Sequence, residues 1–353
     1  GVGAAAGGEH DFVKIIFSEN PAIVIQVREA DKVVSGLGAK GIDASIIGRP
    51  VSGRSLNLVH KGAKLNLDID YYRDMWFRTS YLLDVKQSGE RFAGKRFNNY
   101  KNNALDYRFP AGFSGNLKLD RHEKTGSRAA IIREKGVNGD REMAYALYLA
   151  GFDVKDIHMT DLIKGKEDLS DINLIVFVGG FSNSDVLGSA KGWAGAFLYN
   201  DKAKQALDKF YARKDTLSLG VCNGCQLMAN IGWVPDRDIP EASQPRLVHN
   251  ESGRFESRWV TVKVNKSPSV MLHGMEGSVL GIWVAHGEGR FHFPDETVID
   301  RILEEKLDAL VYVDTSAKPT LTYPYNPNGS PLGLAGMCSP DGRHLAMMPH
   351  PER

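Results

Sequence analysis

"LSLGVCNGCQLMANIG", residues 217–232, decides how the second half of this chain folds. A short apolar run meets a turn at Cys222 and continues into a helix-like stretch, the strand–turn–helix unit of a parallel α/β sheet. Gly220 and Gly224 stand two residues before and after Cys222. Small residues at those places suit a strained elbow that lifts a nucleophile above the sheet edge, because they let the backbone bend tightly. The following helix would aim its first amides and partial positive charge at the sulfur, favouring the thiolate. Cys225, one turn inside that helix, would point elsewhere.

Other readings of the pair compete. A thioredoxin-type dithiol is a C-x-x-C near a βαβ unit, but here the spacer is Asn-Gly without proline, and the glycines bracket the first cysteine only. A zinc site needs two more ligands at metal spacing. The third cysteine, Cys338, is isolated, and the sequence has no second C-x-x-C and no H-x-x-x-H. Two small thiols buried in a core are common. On the elbow alone, nucleophile, core thiols, redox pair and metal ligands all stay open.

The end of the chain favours the nucleophile. "AMMPHPER", residues 346–353, closes an apolar run with His350, Pro351 and Glu352. A cysteine nucleophile needs an imidazole to take its proton, and the imidazole needs a partner on its other nitrogen. Residues two apart in an extended segment project to the same side, so Glu352 can serve His350. "VFVGGFSNSDV", residues 176–186, runs a buried strand into Gly179-Gly180-Phe181 and leaves free amides at the carboxyl edge of a sheet. Such amides can hold the oxyanion of a tetrahedral intermediate, although Gly-Gly alone is also an ordinary tight turn. "VAHGEGRF", residues 284–291, offers His286 and Glu288 between glycines, either a polar loop for a zwitterionic substrate or a solvated hairpin turn.

Composition bounds the rest. A length of 353 residues suggests about two domains. Apolar content of 42% with 25% charged residues is that of a globular protein with a sizeable core. Lysine plus arginine number 44 against 43 acidic residues, which supplies no global field for nucleic acid or anionic membrane. Three cysteines argue against a disulfide framework and suit a reducing, cytoplasmic setting. No apolar run approaches the roughly 20 residues of a membrane span, and no signal-peptide pattern opens the chain. Its opening "GVGAAAGG" and its stop at "HPER" read as a piece of something longer or a processed product.

Three regions follow. Residues 1–86 read as a small α/β unit: "FVKIIFSE", "AIVIQVRE" and "IDASIIGRPV" as strands, "EADKVVSGLGAKG" as a helix, and a hairpin turning at Lys61-Gly62. A helix capped by Asp70 would carry Tyr72, Trp76 and Leu83 on one face. Residues 87–126 break this pattern and read as a linker. Its basic residues alternate with Phe92, Phe97, Tyr100 and Tyr107, suited either to single-stranded nucleic acid or to pinning the segment on its neighbours. The neutral overall charge favours the second, hence no nucleic-acid partner. Residues 127–353 alternate strand and helix, then turn β-rich: an open, mostly parallel sheet with flanking helices.

"GGFSNSDVLGSAKGWA", "LGVCNGCQLMAN", "NESGRFESRW", "HGEGRF", "YPYNPNGSP" and "MMPHPER" resemble the triad-type (class I) glutamine amidotransferase domain of the large-form phosphoribosylformylglycinamidine synthases of purine biosynthesis. "FSENPAIVIQV" and "MWFRTSYLL" are similar to the tail of that family's second synthetase-type (AIR synthetase-like) lobe. The resemblance implies hydrolysis of L-glutamine by Cys222 with His350 and Glu352, through a γ-glutamyl thioester. Amides near Gly180 and Asn223 would hold the oxyanion, and Gln226, His286, Gly287 and Glu288 would bind the substrate. Ammonia would pass to the remainder of the synthetase polypeptide, which uses ATP and Mg2+, and this chain would hold no metal. Two alternatives stand beside it: a non-catalytic docking or regulatory module of the same fold, and a C-x-x-C dithiol oxidoreductase. The ATP-binding body that in this family precedes residue 1, and the tail after the His-Pro-Glu-Arg motif, are not in this sequence. Asn183-Ser184 stands where the family pattern has Tyr-Gly or a similar pair.

Overall fold

The structure, a computed structural model, describes residues 12–102, 106–115 and 124–353. It divides into two compact units with the boundary between Leu83 and Asp84.

In the first unit, α1 (Phe12–Ile16) and α2 (Ala30–Gly38) precede a hairpin of β1 (Ser55–His60) and β2 (Ala63–Asp68). The strands pair antiparallel from Ser55↔Asp68 to His60↔Ala63, and the turn is Lys61-Gly62 as expected, with both residues at positive φ. Helix α3 (Ile69–Asn98) follows. Its first turn is satisfied by Asp68, which accepts from the Tyr71 amide. Asp70, the expected cap, lies inside the helix and pairs with Arg54. "FVKIIFSE" starts with the helical turn of α1, and neither "AIVIQVRE" nor "IDASIIGRPV" forms a strand. A β-prone run becomes a strand only by pairing, and Ile23 is 90% exposed with no strand alongside it among the described residues.

The second unit carries the expected α/β pattern. Its strands are β3 (Arg128–Arg133), β4 (Asp153–His158), β5 (Leu174–Phe177), β6 (Leu217–Val221), β7 (Arg246–Val248), β8 (Glu256–Val264), β9 (Val279–His286), β10 (Arg290–His292), β11 (Leu310–Tyr312), β12 (Leu334–Cys338) and β13 (His344–Met347). Its helices are α4 (Asp140–Leu149), α5 (Met159–Lys164), α6 (Lys191–Leu198), α7 (Asp201–Ala212), α8 (Asn223–Asn230) and α9 (Thr297–Glu304). Nine strands form one sheet in the order β4-β3-β5-β6-β13-β12-β11-β8-β9. The first five run parallel, and the remainder extend the sheet antiparallel. The parallel strands are buried on both faces: all four residues of β5 and all four of β13 are buried. Phe177 packs edge-on against Trp193, Phe197 and Trp233 at ring distances of 5.8–5.9 Å. These aromatics fix α6 and α8 on one side of the strands that lead to Cys222.

The segment expected as a linker is helical at its start, since α3 continues to Asn98 with a break at Gly89. Phe92 and Ala93 are buried and hold the helix in place. Farther on, Arg108 forms an antiparallel bridge to Val279, and the Tyr107 hydroxyl accepts from Trp259 Nε1 at 2.9 Å. Residues 103–105 and 116–123 of this stretch lie outside the described residues.

Candidate active site

Adjacent parallel strands end together, so β5, β6 and β13 deliver their following residues to one sheet edge. Strand β6 leads to Cys222, β13 leads three residues on to His350, and β5 runs into Gly179-Gly180. Cys222 sits at φ 53°, ψ −105°, a strained position between β6 and α8. The elbow is possible because of its glycines. A Cβ on Gly224 would lie 1.9 Å from the Phe177 carbonyl oxygen, and one on Gly220 would lie 2.5 Å from the Gly224 oxygen. The amide of Cys222 is tied to the Met347 carbonyl at 2.9 Å, which locks the elbow to β13.

Cys222 and His350 meet over Gly179. A Cβ on that glycine would be 2.7 Å from His350 Cε1 and 3.4 Å from Cys222 Cβ. His350 Nδ1 bonds Glu352 Oε1 at 2.7 Å, and both side chains are 2% exposed. Nε2 has no hydrogen-bond partner among the described residues, while the Cys222 thiol donates to the Ala285 carbonyl at 3.6 Å. Burial alone would lower the His350 pKa. The nearby Cys222 sulfur and the bonded Glu352 carboxylate outweigh that and raise it to about 9. Cys225 is fully buried inside α8, and desolvation pushes its thiol well above the usual range. Cys338 is also buried, its thiol pushed up to about 12 by burial. The three thiols are free, and no group of three or more metal-type ligands gathers among the described residues.

The remaining expected residues fall around this centre. Asn223 begins α8, where backbone amides have no helical acceptor. Gly180, at φ 126°, lies beside Val137 and Asn138, so a Cβ there would be 2.5 Å from Val137 Cα. Gln226 does not face open space: its amide donates to the Glu288 carbonyl at 2.7 Å, and Asn223 Nδ2 donates to its Oε1 at 2.8 Å. The Glu288 carboxylate accepts from the Ser189 amide at 2.7 Å. His286 is buried with neither ring nitrogen partnered among the described residues, and burial, with His350 nearby, lowers its pKa to about 3. Its imidazole is therefore neutral. Gly287 donates no side chain, but its carbonyl accepts from the Asn250 amide at 2.9 Å.

Sequence reading missed two members. Asp185 accepts from Asn223 Nδ2 at 3.1 Å and from the Ala190 amide at 3.2 Å, and burial raises its pKa. It lies in a loop where Asn183, Ser184, Asp185, Ser189 and Ala190 all have positive φ, a geometry that sequence periodicity does not reveal. Asn250 is the second. Its side chain donates to the His286 carbonyl at 2.8 Å and accepts from the Gly289 amide at 2.9 Å, so it shapes the 286–289 loop. Phe181 and Phe255, each about half exposed, face one another at 6.2 Å, with Phe255 beside Gly287.

A relative from Arabidopsis thaliana, a probable phosphoribosylformylglycinamidine synthase, chloroplastic/mitochondrial, is 46% identical over 96% of this chain and 24% of its own length. The Homo sapiens phosphoribosylformylglycinamidine synthase is 42% identical over 97% of this chain and 27% of its own. This chain thus spans about a quarter of the length of these curated relatives. The solved structure of PurLQS from Thermotoga maritima is 26% identical, with a TM-score of 0.48, over 65% of this chain and 89% of that one. The model of the CobB/CobQ-like glutamine amidotransferase domain matches residues 126–353, the span that builds the sheet, the elbow and the His350–Glu352 pair, and the chain belongs to that family.

Proposed function

We propose that this chain is the glutaminase part of a phosphoribosylformylglycinamidine synthase, with Cys222 as nucleophile. The observation that carries the reading is the strained elbow that sets Cys222 beside an imidazole whose other nitrogen is bonded to a buried carboxylate. His350 takes the thiol proton, and the Glu352 carboxylate bonded to its other nitrogen stabilises the imidazolium that forms. The thiolate attacks the side-chain amide carbon of glutamine. The amides of Gly180 and Asn223 hold the oxyanion, and His350 returns its proton to the departing ammonia. Water, deprotonated by the same imidazole, then cleaves the γ-glutamyl thioester and releases glutamate. Glu352 fixes the tautomer of His350 and supports the imidazolium.

Substrate gripping falls to the loops around Glu288. The carboxylates of Glu288 and Asp185 suit the α-ammonium of glutamine, and the Phe181–Phe255 pair suits its methylenes. Gln226 acts by holding the Glu288 backbone, and neutral His286 fills the floor without adding a second cation beside His350. Ammonia would be consumed in the ATP- and Mg2+-dependent amidination carried out by the remainder of the synthase polypeptide, outside this chain. We assign it to the cytoplasm on its three unpaired cysteines. No helix among the described residues is long and apolar enough to cross a membrane.

The test is labelling with 6-diazo-5-oxo-norleucine, a glutamine analogue that alkylates the attacking thiol. Adduct on Cys222, and loss of glutamate release in Cys222→Ala, are expected. Adduct on Cys225 or Cys338 instead would refute the assignment.

A further inference from the structure

A cluster of charge that this chemistry leaves unused lies on α3 and the turn before β8. Asp84 and Arg96 are twelve residues apart, about 18 Å along an unbroken helix. They nevertheless form a two-point ion pair, Arg96 Nε to Oδ2 at 2.7 Å and Nη2 to Oδ1 at 2.6 Å. The helix achieves this by breaking at Gly89, which has φ 76° and ψ 159° and so folds the last two turns back on Asp84. Ser88 Oγ closes the reversal with a bond to Asp84 Oδ1 at 2.9 Å.

This reversal grips one turn of the chain, residues 250–256, directly at two points and through Tyr323 at a third. Arg254 donates to Asp84, Arg91 donates to Glu251 at 2.8 Å, and Arg96 and Arg258 both donate to the Tyr323 hydroxyl. That hydroxyl in turn donates to the buried Glu256 at 3.0 Å, and Ser252 Oγ donates to the same carboxylate. The gripped turn is bonded to the loop that bears Glu288. Asn250 Nδ2 spans the Arg254 and His286 carbonyls at 3.0 and 2.8 Å, and two further bonds join Asn250 to Gly287 and Gly289. Glu256 also pairs with His286 across β8 and β9.

We propose that Asp84 is a positioning residue: by clamping Arg96 and Arg254 it holds the 250–256 turn, and through Asn250 the 286–289 loop, in the shape that grips glutamine. The clamp touches neither Cys222 nor His350, so it sets affinity and leaves the chemical step alone. This rests on the glutaminase reading, and the test separates the two.

The experiment measures inactivation of the full chain by 6-diazo-5-oxo-norleucine and, in parallel, by iodoacetamide, which needs no grip on an amino-acid backbone. Asp84→Asn keeps the shape and removes the charge. The half-saturating concentration of the glutamine analogue should rise about tenfold, the loss of one charge-assisted bond. The maximal inactivation rate and the iodoacetamide rate should stay at wild-type values. Asp84→Glu should recover part of the affinity, and Asp84→Asn combined with Arg254→Gln should be no weaker than the worse single variant. Unchanged affinity in Asp84→Asn, or a parallel fall in every rate with folded fraction, overturns the clamp while the glutaminase stands. If wild-type Cys222 reacts with iodoacetamide but not with the glutamine analogue, the glutaminase reading falls and takes the clamp with it.

Discussion

Replacing Gly179 by alanine pushes on the imidazole while leaving every group that takes part in the reaction chemically intact. The new Cβ would lie 2.7 Å from His350 Cε1 and 3.5 Å from its Nδ1. Ordinary contact begins near 3.4 Å, so the ring must retreat by about 0.7 Å, because its neighbour is fixed backbone at the end of β5. Gly179 does not have a positive φ, so alanine brings no backbone strain of its own. The retreat draws Nε2 from the sulfur and stretches the 2.7 Å bond to Glu352. A misplacement on the order of 1 Å can cost roughly 10²-fold in rate, and kcat for glutamate release should fall by about that factor. Overpacking should cost about 1–3 kcal/mol of stability, so the variant remains measurable by urea unfolding. A folded Gly179→Ala protein with wild-type kcat would mean that His350 is not the base, since no base tolerates that displacement unnoticed.

Two further perturbations address His350 and the strained loop. The native pKa of His350 is raised to about 9 against an ordinary value near 6.5. The stability it contributes is therefore full below about pH 6.5 and lost as pH rises through about 9. Urea unfolding across that window should show the gap between wild type and His350→Asn closing with rising pH; a gap that is flat or widens would contradict the ion-pair environment. Ser184 sits at φ 58°, where a residue with a Cβ is disfavoured by roughly 1–2 kcal/mol. Ser184→Gly should therefore raise stability by about 0.5–1 kcal/mol after the greater freedom of glycine in the unfolded chain is subtracted, and a lower urea midpoint would show that the Ser184 side chain makes a needed contact.

The elbow, the His350–Glu352 pair and the parallel sheet could be read from sequence because each is encoded within a few residues. A nucleophile elbow needs small residues at fixed offsets, and a base with its orienter needs two side chains on the same side of one extended segment. The topology then does the rest, since three adjacent parallel strands must end together. Asp185 escaped because its role depends on a loop with five non-glycine residues at positive φ, a conformation that local propensity argues against. The substitution of Asn183-Ser184 for a Tyr-Gly-type pair marked the place, and the structure gives its physical meaning: both residues occupy the left-handed region, which asparagine tolerates and serine does not favour.

Three expected strands of the first unit and the clamp were misread for opposite reasons. "AIVIQVRE" has strand-like composition, but a strand needs a partner, and no strand among the described residues pairs with it, so pattern without partner misled. Around Gly89 the pattern itself was absent. A stretch dense in glycine, arginine and lysine reads as a linker, and its helix is held by Phe92 and Ala93 in the core and by bonds to residues 160 to 227 positions away. Those partners, Glu251, Arg254 and Tyr323, lie within stretches that resemble the family on other grounds. What such stretches specify is thus not only the residues that meet glutamine. Some of their charged positions are the receiving half of a clamp whose other half is written in a segment that carries no chemistry of its own.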